Sequence, residues 1–244
     1  MREALSDLLK QTSSLFPQAL VEGTATETKF SAMTADKTII FKAVLKNPLP
    51  DLVGESAFSN LAVLAGLLNF SSYNTDTATF AVKRSDRHDG VEHFEFKDSK
   101  KKAGAIYRLM NPAMIKEEDR PPSVANIPWE MSFGPQKSKM TEFGQLASLY
   151  SEVDKLFTPR TVDGDLRFLI GDEGSSNHRC DMVFEENVTA NIKGDIKYSI
   201  PAFQSIMKVA GSHPATLHLT SRGVMMVRVE TTYGTYEYIL RATR

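Results

Sequence analysis

The chain has 244 residues, with 29 lysines and arginines, 30 aspartates and glutamates, and 41% hydrophobic residues. This length suits one large domain or two small ones, and the apolar content excludes a largely disordered chain. The net charge of −1 excludes a protein that is basic throughout. A single cysteine, no long apolar run and no signal or transit peptide predict a soluble, cytoplasmic protein without a membrane segment.

The first half of the chain predicts the order helix, strands, helix, strands. Apolar residues spaced three and four apart predict an amphipathic helix over Ser6–Phe16. Residues 56–68 are apolar nearly all round, which predicts the most deeply buried helix of the chain. The segment TATFAVKRS at 77–85 and the alternation around Phe94 and Phe96 predict strands, because successive strand side chains point to opposite faces.

A proline-rich stretch at 112–128 separates this half from a second one. It holds four of the eleven prolines, which predicts an extended connector because proline fixes φ and removes a hydrogen-bond donor. The second half predicts one helix over Phe143–Phe157 and another over Ser199–Gly211, where Gly211 suits the C-terminal end. Strands are predicted at 166–172, 180–187, 215–223, 224–230 and 235–242.

Three internal matches in the same order indicate a tandem duplication. The Ala-Phe and Ala-Gly pairs of 54–66 recur in 199–211, and the segment that starts at Gly90 resembles the one that starts at Gly223. The third match pairs Leu5, Leu8, Leu15 and Phe16 with Leu146, Leu149, Leu156 and Phe157. We predict an N-terminal domain at 1–111, a connector at 112–128 and a C-terminal domain at 129–244. Strands that follow one another without intervening helices predict α+β domains, each with antiparallel sheets and two helices.

The sequence lacks the common catalytic and nucleotide-binding motifs, including GxxxxGK[ST], GxGxxG, HExxH and GxSxG. Its most suggestive segment is GDEGSSNHRCD, which contains His178 and Cys180. Zinc sites usually take four ligands at tight spacing, and this segment does not offer them. We interpret it as a polar hairpin with Cys180 as a small apolar residue, and we predict no metal, no cofactor and no enzymatic activity.

The C-terminal residues 198–244 resemble the end of the sliding DNA clamp family, which includes proliferating cell nuclear antigen and the clamps of archaea and tailed phages. The likeness lies in a helix that ends Lys208-Val-Ala-Gly, a strand, the segment Arg222-Gly-Val-Met and a terminal strand over 236–242. The segment Lys139-Met-Thr-Glu-Phe resembles the start of the first helix of the family's second domain. Two similar halves joined by a long connector add to this resemblance.

The resemblance implies a closed trimeric ring whose helices line a hole around duplex DNA. Such a homotrimer is a processivity factor in DNA replication: a clamp loader places it on DNA and it tethers the replicative polymerase. Sliding needs an attraction to phosphates that is independent of base sequence, and therefore cations on the helices. The helical regions carry no net charge, so the orientation of their cations has to supply this attraction. The candidate DNA contacts are Arg2, Lys10, Lys137, Lys139, Lys155 and Lys208, whereas Lys100–Lys102 equally suit a solubilising hairpin turn.

The family also binds partner peptides in a groove between the connector and the last strand. By position, the resemblance implies partner contacts at Met33, Ile40, Met114, Ile115, Val224, Ile239, Leu240 and Ala242. The methionines suit pockets that accept several partners, because their side chains are flexible and polarizable.

The wide departure from cellular clamps favours a tailed phage as the source, in which case the protein would act in viral DNA replication in the host cytoplasm. An archaeon is the second choice. Two other functions remain open. One is a two-domain structural or scaffold protein without a DNA function, such as a virion component. The other is a small hydrolase that uses the His178 and Cys180 segment.

Overall fold

The computed structural model divides the chain into two compact units. The described residues are 1–86, 90–100, 102–115, 120–122, 127–172, 174, 178–193 and 195–243. The first unit comprises Met1–Ala35, Ile40–Pro122 and Glu230–Tyr236, and the second comprises Asp36–Ile39, Ser123–Val229 and Glu237–Arg244. The crossing at residues 122 and 123 falls within the predicted connector.

The first unit contains two helices and two antiparallel groups of strands. In chain order its elements are α1 (Arg2–Thr12), β1 (Gln18–Gly23), β2 (Thr28–Met33), β3 (Ile39–Leu45), β4 (Gly54–Ser59), α2 (Leu61–Asn69), β5 (Thr79–Arg84), β6 (Val91–Lys97) and β7 (Gly104–Arg108). The strand order is β4-β1-β2-β3 in one group and β5-β6-β7 in the other. A 3₁₀ turn over Pro112–Met114 follows β7.

The second unit opens with a short strand and then repeats this plan. Its elements are β8 (Met131–Phe133), α3 (Lys137–Leu149), β9 (Leu156–Val162), β10 (Asp165–Ile170), β11 (Cys180–Glu185), β12 (Tyr198–Ser199), α4 (Ile200–Ala210), β13 (Ala215–Thr220), β14 (Val224–Glu230) and β15 (Gly234–Arg241). The residues where β14 and β15 meet their shared turn belong to the first unit. The strand order is β12-β9-β10-β11 in one group and β13-β14-β15 in the other, with β8 beside β13.

The two halves of the chain share one succession of elements: helix, four strands, helix, three strands. The strand order is also the same, because β12-β9-β10-β11 repeats β4-β1-β2-β3 and β13-β14-β15 repeats β5-β6-β7. This identity of order confirms the prediction of two similar α+β domains with antiparallel sheets and two helices each. All seven predicted strands of the sequence lie within or across observed strands.

The prediction for α1 is wrong at both ends, because the helix spans Arg2–Thr12 and not Ser6–Phe16. Pro17 accounts for the exclusion of Phe16 from the helix, since a residue that precedes proline is pushed out of the helical region. Within the helix, Glu3 in the first turn and Lys10 in the last turn complement the helix dipole. The buried face carries Leu5, Leu8, Leu9 and Thr12, with the spacing that the sequence pattern predicts.

The helix predicted over 56–68 is wrong in its first third. Ala57 and Phe58 lie in β4, where Phe58 pairs with Ala19 of β1. Asn60 has a positive φ of 50°, so the chain turns sharply there and α2 begins only at Leu61. The helix is also not the most buried one, because its buried side chains are Leu61, Leu64 and Leu68 and Val63 is 55% exposed.

The helix predicted over Phe143–Phe157 is displaced towards the N-terminus. It spans Lys137–Leu149, and Phe157 lies in β9 opposite Ile170 of β10. Asp154 marks the change, since its carboxylate accepts a hydrogen bond from the backbone N–H of Leu156 at 3.0 Å. Such a local side-chain contact competes with helical hydrogen bonds and favours a turn. The α4 prediction is confirmed, with Ser199 as its cap and Gly211 at its end.

Aromatic side chains fill the interior of both units. In the first unit, Phe58 packs against Phe94 with ring centroids 5.7 Å apart. In the second, Phe168 stacks on Phe184 at 4.0 Å, and Phe143 packs edge-on against both Phe168 and Phe203. Such pairs stabilise by about 0.5–1.5 kcal/mol each beyond the burial of their area. In the part of the chain that the structure describes, no helix is long and apolar enough to cross a membrane.

Candidate functional site

The two helices of the first unit are in contact, and a hydrogen bond joins them. The Arg2 guanidinium donates a hydrogen bond to the Leu68 carbonyl at 3.0 Å, which joins the start of α1 to the end of α2. Arg2 is therefore half-buried and engaged within the protein. Lys10 lies on the opposite side of α1 from the leucines and is exposed, as its position in the helical pattern predicts.

The buried carboxylate of Asp7 attaches α1 to the rest of the first unit. Asp7 is only 9% exposed, and its Oδ2 accepts hydrogen bonds from the Thr231 hydroxyl at 2.7 Å and the Tyr236 hydroxyl at 2.6 Å. Burial, with the adjacent Asp7 carboxylate, raises the pKa of Tyr236 well above its usual range, so its hydroxyl stays a neutral donor. These bonds attach α1 to residues more than 220 positions away in sequence.

In the second unit, α3 and α4 meet through Phe143 and Phe203, whose ring centroids are 5.6 Å apart. Lys137 and Lys208 are exposed, whereas Lys139 is half-buried and lies 3.4 Å from the Glu142 carboxylate. Lys155 is exposed but follows α3 in the turn before β9, so it is not on a helix. The predicted DNA contacts thus comprise three exposed lysines on helices, Lys139 beside Glu142, one exposed lysine in a turn, and Arg2.

The two units differ in the charge of their helices. The α1 helix is electrically neutral and α2 contains no charged residue, whereas α3 and α4 each carry a net charge of +1. The exposed side of α2 consists of small and apolar residues, including Ala62, Val63 and Gly66. Among the four helices, the net positive charge is therefore concentrated on α3 and α4.

The connector residues of the first unit form the second candidate surface. Ile115 is buried in a small cluster with Leu20 and Ala57, against which Met110 packs. Met114, its neighbour in the 3₁₀ turn, is 70% exposed. Ile115 therefore anchors this segment to the unit, while the preceding Met114 is exposed to solvent.

Met33 and Ile115 line one shallow depression of about 10 Å³, which has room for a single water molecule. Arg120 also lines it, donates a hydrogen bond to the Pro112 carbonyl at 3.0 Å and lies 3.6 Å from the Glu55 carboxylate. Sequence reasoning missed Arg120, although a single cation between an acidic run and two prolines was a visible signal. Ile40 of β3 pairs with Met33 of β2 in the sheet, and its side chain is buried, 3% exposed.

The remaining partner candidates belong to the second unit. Ile239 and Leu240 are neighbours on β15 and point to opposite faces, and both are buried, at 3% and 0% exposure. Val224 and Ala242 are half-buried, and the Ala242 N–H donates to the Gly223 carbonyl at 3.0 Å beside the start of β14. Val224 and Ala242 therefore lie close together at partly accessible positions, whereas Ile239 and Leu240 are core residues.

The segment that suggested catalysis is described only in part, because Glu173 and residues 175–177 lie outside the described residues. His178 is exposed, and Cys180 is half-buried at the start of β11. Burial and the nearby carboxylates of Asp181 and Glu142 raise the pKa of the Cys180 thiol, which disfavours the reactive thiolate. Among the described residues, no group of three His, Cys, Asp or Glu side chains is arranged to hold a metal ion.

Comparison with known proteins gave matches at the level of structure. No family model and no curated protein matches this sequence. The PCNA of Thermococcus kodakaraensis superposes with a TM-score of 0.68 over 100% of this chain and 97% of its own, at 9% sequence identity. The PCNA of A. fulgidus, in a structure with the C-terminal region of FEN-1 bound, gives the same TM-score over 100% of this chain and 96% of its own, at 13% identity. Over its whole length, this chain has the fold of the PCNA sliding clamps.

Proposed function

We propose that this protein is a sliding clamp: a homotrimer that encircles duplex DNA, is placed there by a clamp loader and tethers a replicative DNA polymerase. It would act as a non-enzymatic processivity factor in a cytoplasmic compartment, with a tailed phage as the first candidate source. The observation that carries the proposal is the match of the entire chain, both halves included, to PCNA structures. A protein whose function needed only one half of this fold would not need a second half with the same order of helices and strands.

The charges of the helices support the DNA part of the proposal. A ring that slides needs diffuse attraction to phosphates and no base contacts. Exposed lysines on α1, α3 and α4 meet this requirement without a site for chemistry. The proposed contacts are Arg2, Lys10, Lys137, Lys139, Lys155 and Lys208.

The partner surface is proposed on the connector and the chain end. The A. fulgidus clamp binds the C-terminal region of another protein, and we propose that this chain likewise binds a terminal segment of its polymerase. An exposed Met114 beside a buried Ile115 supports this, because an apolar side chain held in solvent by an anchored neighbour suits an apolar partner. The proposed contacts are the exposed Met114 and the half-buried Met33, Val224 and Ala242, whereas Ile40, Ile115, Ile239 and Leu240 are buried within the chain and would support this surface from inside.

The proposal is tested by mass and by topology. Light scattering should give a particle of about 81 kDa, three times the 27.1 kDa chain, because cyclic homo-oligomers close at a fixed number of subunits. The protein should then be incubated with linear duplex DNA whose two ends are subsequently blocked by biotin and streptavidin. A ring that has threaded onto the duplex should stay bound in high salt and leave when a restriction enzyme cuts the DNA.

The rival scaffold function predicts different results in the same experiments. A scaffold would give a different or open-ended assembly, and a restriction cut would not release any bound protein. A monomer, or binding that is equal on blocked and open DNA, contradicts the clamp proposal.

A further inference from the structure

The cations of the first unit's helices are largely occupied or balanced. Arg2 is bonded to the Leu68 carbonyl, and Glu3 and Asp7 balance the charges of Arg2 and Lys10 within α1. A cleft beside this helix is lined by Glu3, Asp7 and Asp76 as well as by the two cations. A phosphate backbone that approached α1 and the uncharged α2 would therefore meet little net positive charge.

The second unit has a groove of a different character where the start of α3 meets the end of α4. This groove has a volume of about 410 Å³ and is lined by Lys137 and Met140 from one side and by Met207, Ser212 and His213 from the other. The described residues that line it include no aspartate or glutamate. Lys208 follows Met207 and is exposed, and Lys139 follows Lys137 by two positions.

The acids of α3 and of the turn that follows it do not cancel these lysines. Glu142 lies 3.4 Å from Lys139 and so offsets one of the three lysines. Glu152 and Asp154 follow the other end of α3, which is 13 residues and therefore about 20 Å long. That distance is about twice the Debye length at physiological salt, so these acids are screened from Lys137 at the start of α3.

We propose that the second unit supplies the main phosphate contacts of this protein, through Lys137, which lines this groove, and through Lys139 and Lys208 on the two helices that meet there, and that the helices of the first unit contribute little. The inference rests on the proposed function, and it assigns the DNA contact to one of the two repeated units. Charge complementarity selects the occupant, because a groove that is lined by Lys137 and by no described carboxylate, with the exposed Lys208 on the neighbouring helix, suits the phosphates of duplex DNA.

A matched pair of lysines tests the assignment. Lys10 and Lys208 are both exposed, and each is the basic residue in the last turn of an 11-residue helix. The affinity of full-length wild type, Lys10→Gln and Lys208→Gln for a fluorescent duplex should be measured between about 50 and 200 mM salt. Each lost phosphate contact reduces the slope of log affinity against log salt by about 0.9. Between these two salt concentrations, the affinity of Lys208→Gln should therefore fall by a factor that is about 3.5 times smaller than the factor for wild type. The fall for Lys10→Gln should be closer to that of wild type.

The triple variant Lys137→Gln, Lys139→Gln, Lys208→Gln extends the test, with a slope that is lower by up to about 2.7. Its matched control removes three exposed lysines from the first unit, Lys83, Lys100 and Lys102, and should keep the wild-type slope. A larger change in Lys10→Gln than in Lys208→Gln, or in the control triple than in the groove triple, would overturn the assignment. A wild-type protein that is not retained on end-blocked DNA would instead overturn the proposed function.

Discussion

The buried hydrogen bond from the Tyr236 hydroxyl to Asp7 should contribute strongly to the free energy of unfolding. Tyr236→Phe removes a 2.6 Å hydrogen bond to a carboxylate while it leaves the ring stacked on Phe41 at a centroid distance of 6.2 Å. A hydrogen bond to a charged group contributes about 1.5–3 kcal/mol. The Thr231 hydroxyl still donates to Asp7 at 2.7 Å, so the variant does not leave the carboxylate without a partner.

The expected loss converts to a fall in melting temperature of about 3–12 °C, at about 2–4 °C per kcal/mol for a chain of this length. Thermal unfolding followed by circular dichroism measures it. Tyr233→Phe is the matched control, because the Tyr233 hydroxyl donates at 3.0 Å to Glu3, which is exposed. Surface changes of this kind stay within about 0.5 kcal/mol.

The contact also has an alkaline signature with a defined sign. The pKa of Tyr236 is raised in the folded protein, mainly by burial and then by the Asp7 carboxylate. Its contribution is therefore complete below about pH 10, the unfolded value for tyrosine, and is lost as pH rises through the raised pKa. If Tyr236→Phe melts at the same temperature as Tyr233→Phe, the buried bond does not stabilise the fold and the reasoning is refuted.

Two further predictions concern the second unit and the connector. Burial alone would raise the pKa of Asp181, but hydrogen bonds from Arg160 at 2.7 Å and Arg167 at 3.0 Å outweigh it and hold this pKa below its usual range. The contribution of the Asp181 carboxylate to stability should be present above about pH 4 and be lost as pH falls. Asp181→Asn should therefore remove this part of the acid dependence of the melting temperature. An unchanged acid dependence in this variant would contradict the prediction. Met114→Asp should shorten the products of polymerase extension without lowering the melting temperature, since Met114 is 70% exposed, whereas Leu240→Asp should unfold the second unit because Leu240 is fully buried. Products of wild-type length with Met114→Asp would exclude Met114 from the partner surface.

The strands that could be predicted from sequence are those with one buried face. In β6, the buried Phe94 and Phe96 alternate with the more exposed His93, Glu95 and Lys97, so the period of two is visible in the sequence. By contrast, β1 buries three consecutive residues, Ala19, Leu20 and Val21, so its pattern shows no alternation. The strand β2 did carry a signal, with Phe30 and Ala32 buried between more exposed residues, and it was overlooked.

The helix boundaries could not be predicted because tertiary pairing overrides the local pattern. Phe58 fits the spacing of a helical stripe, but its backbone pairs with Ala19 in β1, and a strand hydrogen bond excludes a helical one. The apparent match of 54–66 with 199–211 therefore aligns Phe58 of a strand with Phe203 of a helix. The order of elements preserves the duplication more faithfully than the identity of residues does.

The candidate site was predictable where exposure follows from a helical stripe and unpredictable where it depends on distant partners. Lys10 and Lys208 face solvent because they lie opposite apolar residues of their own helices. Asp7 looks like a surface acid in sequence, since the residues that bury it, Thr231 and Tyr236, belong to the other end of the chain. No local pattern encodes a contact of that separation.

The low identity to the PCNA structures, 9% and 13%, fits the physical demands of the proposed function. An enzyme fixes the identity of its reacting groups, whereas a ring that slides needs only topology, a packed interior and a positive surface somewhere along its hole. Both interiors meet the packing demand with phenylalanine pairs at positions that are not equivalent, Phe58 and Phe94 on β4 and β6 in the first unit and Phe168 and Phe184 on β10 and β11 in the second. Charge is equally free to move between units, because phosphates attract any lysine that faces them. Under this proposal, the neutral helices of the first unit are tolerated because α3 and α4 carry the attraction for both.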